Sequence, residues 1–163
     1  MLQDLLTHDL KLVVCGTAVG SDSAQLKQYY AKPTNKFWKT LFQVRLTPIQ
    51  LKPSEYRNLL EYGIGLTDLV KNKSGIDRDL TPGDFGSHVL LEKIKTYQPK
   101  YLCFNGKRSA VEFLLRKVDY GLQPETIKAT RIFIAPSTSG AANRWWDIGI
   151  WRELTKLCNQ PVN

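Results

Sequence analysis

Apolar residues recur along the chain in two spacings. Short apolar runs typical of buried strands occupy 10–15, 64–70, 101–104 and 130–135. Between them, apolar residues at helical spacing predict helices over 35–44, 54–61, 89–97, the segment after Lys107, and 148–157. Small residues after the first run predict a loop over 16–21, and 71–86 reads as an exposed loop.

This alternation of strands and helices predicts the fold class. We expect a three-layer α/β/α fold with a mainly parallel central sheet of about four to five strands. At 163 residues the chain has the length of one domain, so 1–163 is expected to form a single unit. Ligands of such sheets bind beyond the carboxyl ends of the strands. That rule points to the loops at 16–21, 67–75, 105–107 and 136–144.

Composition narrows the class of protein and of partner. Lys and Arg number 23 against 15 Asp and Glu, a net charge of +8, which favours a polyanionic partner without separating nucleic acid from mere solubility. The apolar runs are too short to cross a bilayer, and the first residues lack the features of a secretory signal, so an intracellular, cytoplasmic protein is expected. Cys15, Cys103 and Cys158 are far apart among apolar residues, which predicts buried free thiols rather than a metal site.

Motifs spread through most of the chain provide a family resemblance. They are Val13–Gly16, Lys32–Lys39, Leu51–Pro53, Gly65–Val70, Tyr97–Pro99, Asn105–Lys107 and Pro136–Gly140. In this order and spacing they resemble the mismatch-specific uracil and thymine DNA glycosylases of the uracil-DNA glycosylase superfamily. The resemblance implies a monofunctional, monomeric enzyme that flips uracil or another damaged base out of mismatched double-stranded DNA. It would hydrolyse the N-glycosidic bond for base excision repair without a metal or cofactor.

The resemblance also implies a base pocket. Backbone groups of Gly16, Thr17 and Ala18 would meet the edge of the base, and the ring of Tyr30 would stack on it. Packing in the core is the alternative for Tyr30 and its neighbour Tyr29. Ser137 belongs to the family's second motif, whose hydroxyl groups contact phosphates and support the abasic sugar.

The first motif departs from the family pattern at the catalytic position. The family usually has Gly-Ile-Asn-Pro-Gly, and Ala18 stands where that asparagine positions the attacking water. Asp68 is the preferred replacement, since a carboxylate at this edge binds water and stabilises positive charge on the sugar; the alternative is a turn cap or a lysine partner. Asn35 is the second candidate, although an N-cap is the favoured interpretation. If neither replaces it, the chain is a catalytically weak or inactive damaged-DNA-binding protein on the same fold.

Contacts to the DNA backbone are expected from residues around the second motif and from nearby cations. Ala141 lies where the family inserts a wedge into the duplex and is too small for that task, so Arg144, Trp145 or Trp146 is a candidate to fill the gap. For the two tryptophans the favoured interpretation is packing in the core with Trp151. The expected DNA contacts are Ser139, Gly140, Ala141, Arg144, Lys107 and Lys71, with Arg108 as a further candidate.

Overall fold

A computed structural model of the protein describes residues 2–71 and 85–161. Its centre is a five-stranded sheet in the order β2-β1-β3-β5-β4. The strands are β1 (Leu12–Ala18), β2 (Ile64–Val70), β3 (Tyr101–Asn105), β4 (Gly121–Ile127) and β5 (Thr130–Ala135). Strand β1 pairs in parallel with β2 and β3, and β3 with β5, whereas β4 is antiparallel to β5.

Helices connect the parallel strands. The α-helices are α1 (Ser21–Leu26), α2 (Phe37–Gln43), α3 (Ser87–Tyr97), α4 (Lys107–Leu114) and α5 (Ile148–Cys158). Two 3-10 helices cover Pro53–Tyr62 and Gly140–Trp145. All four predicted strands and all five predicted helices are present, with ends that differ by a few residues; the segment 54–61 is 3-10 helix rather than α-helix.

The sheet has a core on each face, because successive side chains of a strand point to opposite sides. Leu12 and Val14 of β1 pack in one cluster with residues of α2 and α5. Val13 and Cys15 belong to a second cluster with residues of α3 and α4. The predicted three-layer α/β/α fold with a mainly parallel sheet is therefore confirmed. The three cysteines are buried free thiols, as expected.

Two predictions about local structure are wrong. Gly16, Thr17 and Ala18 are not a loop but the end of β1, because pairing with β2 holds their backbone extended, as in the pairs of Gly16 with Asp68 and Ala18 with Val70. Helix α1, which the sequence pattern did not predict, follows directly. The pattern also missed β4, an edge strand that contains Pro124 and a shift in register between Leu122 and Thr126. Proline is tolerated at an edge strand, where one side of the ladder is unpaired.

The N-terminal segment covers the outer edge of β2. Leu5 and Leu66 exchange two backbone hydrogen bonds of 2.9 Å in an isolated antiparallel bridge. The neighbouring Gly65 is required for this approach, since a Cβ atom there would lie 2.5 Å from the carbonyl oxygen of Leu5. The bridge brings Asp4 against the end of β2. Most of the predicted loop at 71–86 lies outside the described residues, and no helix within the described residues is long and apolar enough to span a membrane.

Candidate active site at the carboxyl edge of the sheet

Two polar atoms converge on Gly16 near the end of β1. A Cβ atom on this glycine would lie 2.8 Å from Oδ1 of Asp68 and 3.2 Å from the hydroxyl oxygen of Tyr30. Gly16 and Asp68 are direct partners in the ladder between β1 and β2. The absence of a side chain at Gly16 therefore leaves the space in which the carboxylate and the phenol meet.

The carboxylate of Asp68 is almost completely buried, with 5% of the residue exposed. Burial raises the pKa of this carboxyl group above its usual range, and the neighbouring ammonium group of Lys71 opposes that rise without cancelling it. Lys71 Nζ lies 3.2 Å from Asp68 Oδ2, so the cation binds one carboxylate oxygen while the other faces Gly16. A buried carboxylate with one oxygen free of the ion pair is suited to accepting a proton or a hydrogen bond from a ligand.

Lys71 is bound by a second carboxylate. Its Nζ lies 2.6 Å from Asp4 Oδ1, and Lys93 Nζ of α3 lies 2.5 Å from Asp4 Oδ2. Thr67 donates a hydrogen bond of 2.7 Å to Asp4 from its hydroxyl group. Burial lowers the pKa of Lys71, but the two carboxylates outweigh it and hold that pKa above its usual value, so the lysine remains charged. This ion-pair cluster favours an internal role for Lys71 over the phosphate contact expected from the sequence.

Tyr30 is held in an uncommon backbone conformation that directs its side chain over Gly16. Its φ is +51°, in the left-handed region that non-glycine residues rarely adopt. Both neighbours are fixed: Trp38 Nε1 donates to the carbonyl oxygen of Tyr29 at 3.1 Å, and Ala31 N donates to Ser23 Oγ at 2.9 Å. Backbone strain of this kind recurs at functional sites.

The phenol of Tyr30 has a buried hydroxyl group without a hydrogen-bond partner among the described residues. One face of its ring stacks on Phe37, with centroids 4.0 Å apart, so that face is closed to a base. Burial, and then the charge of Asp68, raise its pKa well above the usual value and outweigh the opposing effect of the nearby Asn105 side chain, which keeps the hydroxyl protonated as a donor. An unpaired buried donor costs free energy unless a ligand satisfies it. Tyr29 is a core residue, as the alternative interpretation expected, and the partly buried Tyr30 ring packs against the same core cluster.

At the end of β3, two neutral side chains form a hydrogen-bonded pair that connects this strand to the loop after β5. Asn105 at the end of β3 donates from Nδ2 to Thr138 Oγ1 at 3.0 Å and accepts at Oδ1 from Thr138 N, also at 3.0 Å. Both side chains are buried. The pair fixes the loop after β5 against the end of β3, and the backbone of Lys36 donates to Thr138 O at 2.9 Å to extend the connection.

The serines of the second motif are used within the loop. Ser137 Oγ accepts from Ser139 N at 3.2 Å, and Ser139 Oγ caps the following 3-10 helix by accepting from Ala141 N at 3.2 Å. Gly140 packs closely on Thr34, since a Cβ atom there would lie 3.1 Å from that side chain. The loop is therefore shaped before any DNA is bound.

Further along, the 3-10 helix presents exposed residues. It contains no buried residue, and Ala141 and Arg144 lie on its exposed surface. Trp145 is 57% exposed and lies under the guanidinium group of Arg144, so its placement in the core is wrong. Trp146, just past the helix end, packs partly on the core beneath the ammonium group of Lys36, which also donates to Asn143 Oδ1. Trp151 is fully buried.

The remaining expected residues lie as follows. Asn35 Oδ1 accepts from Phe37 N at 3.0 Å just before α2, in an Asx-type turn, whereas the N-cap position of the helix is Lys36, one residue after the position expected. Thr17 is buried and Ala18 half-buried in β1. Lys107 is exposed, with its ammonium group over the ring of Tyr120, while Arg108 lies 3.7 Å from Glu112.

Sequence reasoning missed several residues of this site. Asp4 and Lys93 carry no motif of their own, and each comes into place from a distant part of the chain. Thr138 was recognised only as part of the second motif. Asn105 was recognised only as part of a motif. A polar residue that ends a buried parallel strand was the available signal, because that position faces the ligand edge.

The chain resembles known proteins both in sequence and in fold. The sequence profile described as the uracil DNA glycosylase superfamily matches residues 3–155 of the chain. The fold is similar to the solution NMR structure of a candidate uracil DNA glycosylase from Methanosarcina acetivorans, with a TM-score of 0.68 and 21% sequence identity. The alignment covers 98% of this chain and 97% of that one. This structural likeness extends over the whole described fold.

Proposed function

This chain belongs to the uracil DNA glycosylase superfamily, and on that basis we propose that it is a monofunctional, mismatch-directed DNA glycosylase that removes uracil from DNA. The single observation that carries this proposal is the buried Asp68 carboxylate, whose free oxygen faces Gly16 beside the unpaired hydroxyl of Tyr30. In this proposal, other deaminated or damaged bases opposite guanine are further substrates. The product is an abasic site for base excision repair.

Hydrolysis requires a nucleophile on one side of the sugar and stabilisation of the departing base on the other. Asp68 accepts a proton from water while the water oxygen bonds to C1′ of the sugar. The bond from C1′ to the base nitrogen breaks, and its electron pair leaves with the base. The carboxylate also stabilises the positive charge that develops on the sugar, as in glycosyl transfer generally. No lysine nucleophile is involved.

The flipped base is held in this proposal by groups around the end of β1. The hydroxyl of Tyr30 donates to a carbonyl oxygen of the base, which supplies the partner that this buried donor lacks. Backbone groups of Gly16, Thr17 and Ala18 meet the edge of the base. With Asp68 5% exposed, the site is closed, and base entry requires movement of the segment that carries Tyr30.

DNA is held by the second motif and the exposed 3-10 helix. Ser137, Ser139 and Gly140 contact the phosphates next to the flipped nucleotide, and Lys107 adds a cation on the same edge. Arg144 and Trp145 are exposed together beyond Ala141, and the pair fills the gap left by the base. A stacked guanidinium and indole suits this task because both present flat faces to the neighbouring bases.

The test uses duplexes with uracil, thymine, hypoxanthine or ethenocytosine opposite guanine, followed by alkaline cleavage of abasic sites. We expect strand breaks with uracil, and a loss of at least about 100-fold for Asp68→Asn, the scale of a lost general base. Asp119→Asn, at an exposed aspartate, is the matched control and should keep full activity. Asn35→Ser, which preserves a side-chain oxygen that can accept from Phe37 N, should also remain active.

Ala18 favours a second candidate, a damaged-DNA-binding protein without turnover. Fluorescence anisotropy with the same duplexes separates the two. Binding to the damaged duplexes without strand breaks on any of them would reject the glycosylase in favour of this second function. Near-normal turnover by Asp68→Asn would instead reject the role of Asp68 while leaving the glycosylase standing.

A further inference from the structure

We propose that Lys71 is a positioning residue of this site, whose ammonium group, shared between Asp68 and Asp4, holds the Asp68 carboxylate ionised and oriented toward Gly16. The catalytic part of this inference rests on the proposed function. The chemical part is that Lys71, a cation shared with Asp4, controls the charge of the buried Asp68 carboxylate. This part rests on the geometry alone.

The contacts divide the two oxygens of Asp68 between different tasks. Oδ2 lies 3.2 Å from Lys71 Nζ, whereas Oδ1 lies against Gly16. The ammonium group cannot turn freely, because it also lies 2.6 Å from Asp4 Oδ1 and donates to the hydroxyl of Tyr29 at 3.3 Å. That hydroxyl donates in turn to the carbonyl oxygen of Gln3 at 2.9 Å. Lys71 thereby fixes the orientation of the Asp68 carboxylate through Oδ2 and leaves Oδ1, the oxygen at Gly16, for a ligand.

The charges around Asp68 come from every element packed against it. The N-terminal segment supplies Asp4, α3 supplies Lys93, and the end of β2 supplies Lys71. The neutral titratable groups are the Cys15 thiol of β1 and the phenols of Tyr29 and Tyr30. Lys71 is the one cation in contact with the carboxylate among the described residues, since Lys93 is bound to Asp4.

Lys71 lowers the pKa of both Asp68 and Asp4, but the net shift differs between the two carboxyl groups. Burial raises the pKa of Asp68, Lys71 lowers it, and the charge of Asp4 raises it again. Burial raises the pKa of Asp4 too, but hydrogen bonds from Lys71 and Lys93 hold it below its usual value. Removal of Lys71 leaves only the more distant charge of Lys93 to oppose burial at Asp68, while removal of the Asp4 charge takes away a group that disfavours ionised Asp68. The two changes should therefore shift the titration of Asp68 in opposite directions.

The experiment measures the pH profile of kcat/KM for uracil excision by the wild-type protein and three variants. Lys71→Met should move the acidic limb to higher pH by at least about one unit, a tenfold loss of rate at a fixed pH on that limb. Asp4→Asn should move the limb to lower pH, and Lys71→Arg should keep it near the wild-type position. A purely structural role predicts lower activity without a moved limb, or the same direction for both losses, and either result would overturn the proposal.

A second measurement keeps the inference separate from the proposed function. The carboxyl carbon of Asp68, assigned in a 13C NMR spectrum by its absence in Asp68→Asn, is titrated in the wild-type protein and in folded Lys71→Met. A higher pKa in Lys71→Met supports the charge control even in a protein without glycosylase activity, in which case only the proposed function fails. An unchanged pKa overturns the inference. If Lys71→Met does not fold, the Asp68 carboxyl group is titrated in Asp4→Asn and Lys71→Arg instead. A lower pKa in Asp4→Asn with a nearly unchanged pKa in Lys71→Arg supports the inference, and an unchanged pKa in both variants overturns it.

Discussion

The carboxyl edge of the sheet has two halves that hold their polar groups in different ways. In the half formed by β1 and β2, charged side chains converge: the buried Asp68 and the half-buried Lys71 and Asp4 form an ion-pair cluster beside Gly16. In the half formed by β3 and β5, the neutral pair of Asn105 and Thr138 joins the loops with two hydrogen bonds of 3.0 Å. In the first half the Asp68 carboxylate is buried, whereas the second half continues into the exposed residues Arg144 and Trp145.

The difference separates two demands on an active site. A buried carboxylate is useful for proton transfer because its charge state responds to its surroundings, but burial of charge is costly and needs partners. A loop that meets a polyanion gains from a shape that does not change with pH, which neutral amide and hydroxyl groups provide. We infer that chemistry belongs to the first half and DNA geometry to the second.

The largest effect should follow from closing the space at Gly16. In Gly16→Ala the new Cβ atom would lie 2.8 Å from Asp68 Oδ1, so the carboxylate and Tyr30 must shift. We expect uracil excision to fall at least about 100-fold, and the free energy of unfolding to fall by about 1–3 kcal/mol, as for overpacked cores. The control is Gly20→Ala, because nothing lies within 4 Å of a Cβ atom there. Equal activity in the two variants would show that this space is not the reaction site.

Breaking the neutral pair should cost stability independently of pH. Asn105→Ala removes both hydrogen bonds to Thr138 and leaves buried groups unsatisfied, so urea unfolding should show a loss of about 2–3 kcal/mol. Because neither residue titrates, the loss should be the same at pH 5 and pH 8. Ser54→Ala, at an exposed serine, is the control. A loss that changed strongly between these pH values would contradict the separation of the two halves.

Removing the second carboxylate should instead give a pH-dependent loss. The pKa of Asp4 is lowered in the folded protein, so its contribution to stability is present above its unfolded pKa and disappears as pH falls through the folded value. Asp4→Asn should therefore be less stable than the wild type at pH 7 by about 1–3 kcal/mol. The difference should shrink below about pH 4. Asp9→Asn, at an exposed aspartate, is the control, and a constant difference down to pH 2 would count against the ion-pair cluster.

The smallest effect is expected at the outer end of the second half. Trp145→Ala removes an exposed side chain, so stability should change by less than about 0.5 kcal/mol. Loss of a stacking ring should still weaken binding to a duplex that contains uracil by about 1 kcal/mol or more, roughly fivefold. Ile49→Ala, at a similarly exposed apolar residue, should leave binding unchanged. Equal binding by both variants would remove Trp145 from the DNA interface.

The fold was largely accessible from the sequence. Runs such as Ile64–Val70 and Thr130–Ala135 match strands β2 and β5 residue for residue, because strands covered on both faces of a sheet are mostly apolar. The sequence pattern failed where the pairing between strands determines the local structure. Gly16 to Ala18 looked like a loop but extends β1 by pairing with β2, and β4 has no apolar pattern because it lies at the edge of the sheet.

The site was accessible only in part. The order of strands and motifs placed Asp68 at this edge of the sheet. Residue type favoured an N-cap at Asn35, whose side chain does accept a hydrogen bond of 3.0 Å from Phe37 N, although Lys36 occupies the N-cap position of α2. Trp145 was misplaced because an aromatic pair near a helix usually packs in a core, whereas here a 3-10 helix turns the first tryptophan outward. Lys71 was expected on DNA, although a lysine partner was one alternative for Asp68, because nothing in the sequence indicates that the distant Asp4 binds the same ammonium group.

The sequence by itself determined the alternation of elements, the edge at which the site lies and the family to which the motifs point, because these depend on local periodicity and on short segments. Tertiary structure alone decided which groups meet. Asp4 lies 67 positions before Lys71 along the numbered chain and reaches it only through the bridge between Leu5 and Leu66. The charge state of Asp68 depends on burial and on that distant pairing, which no local pattern encodes.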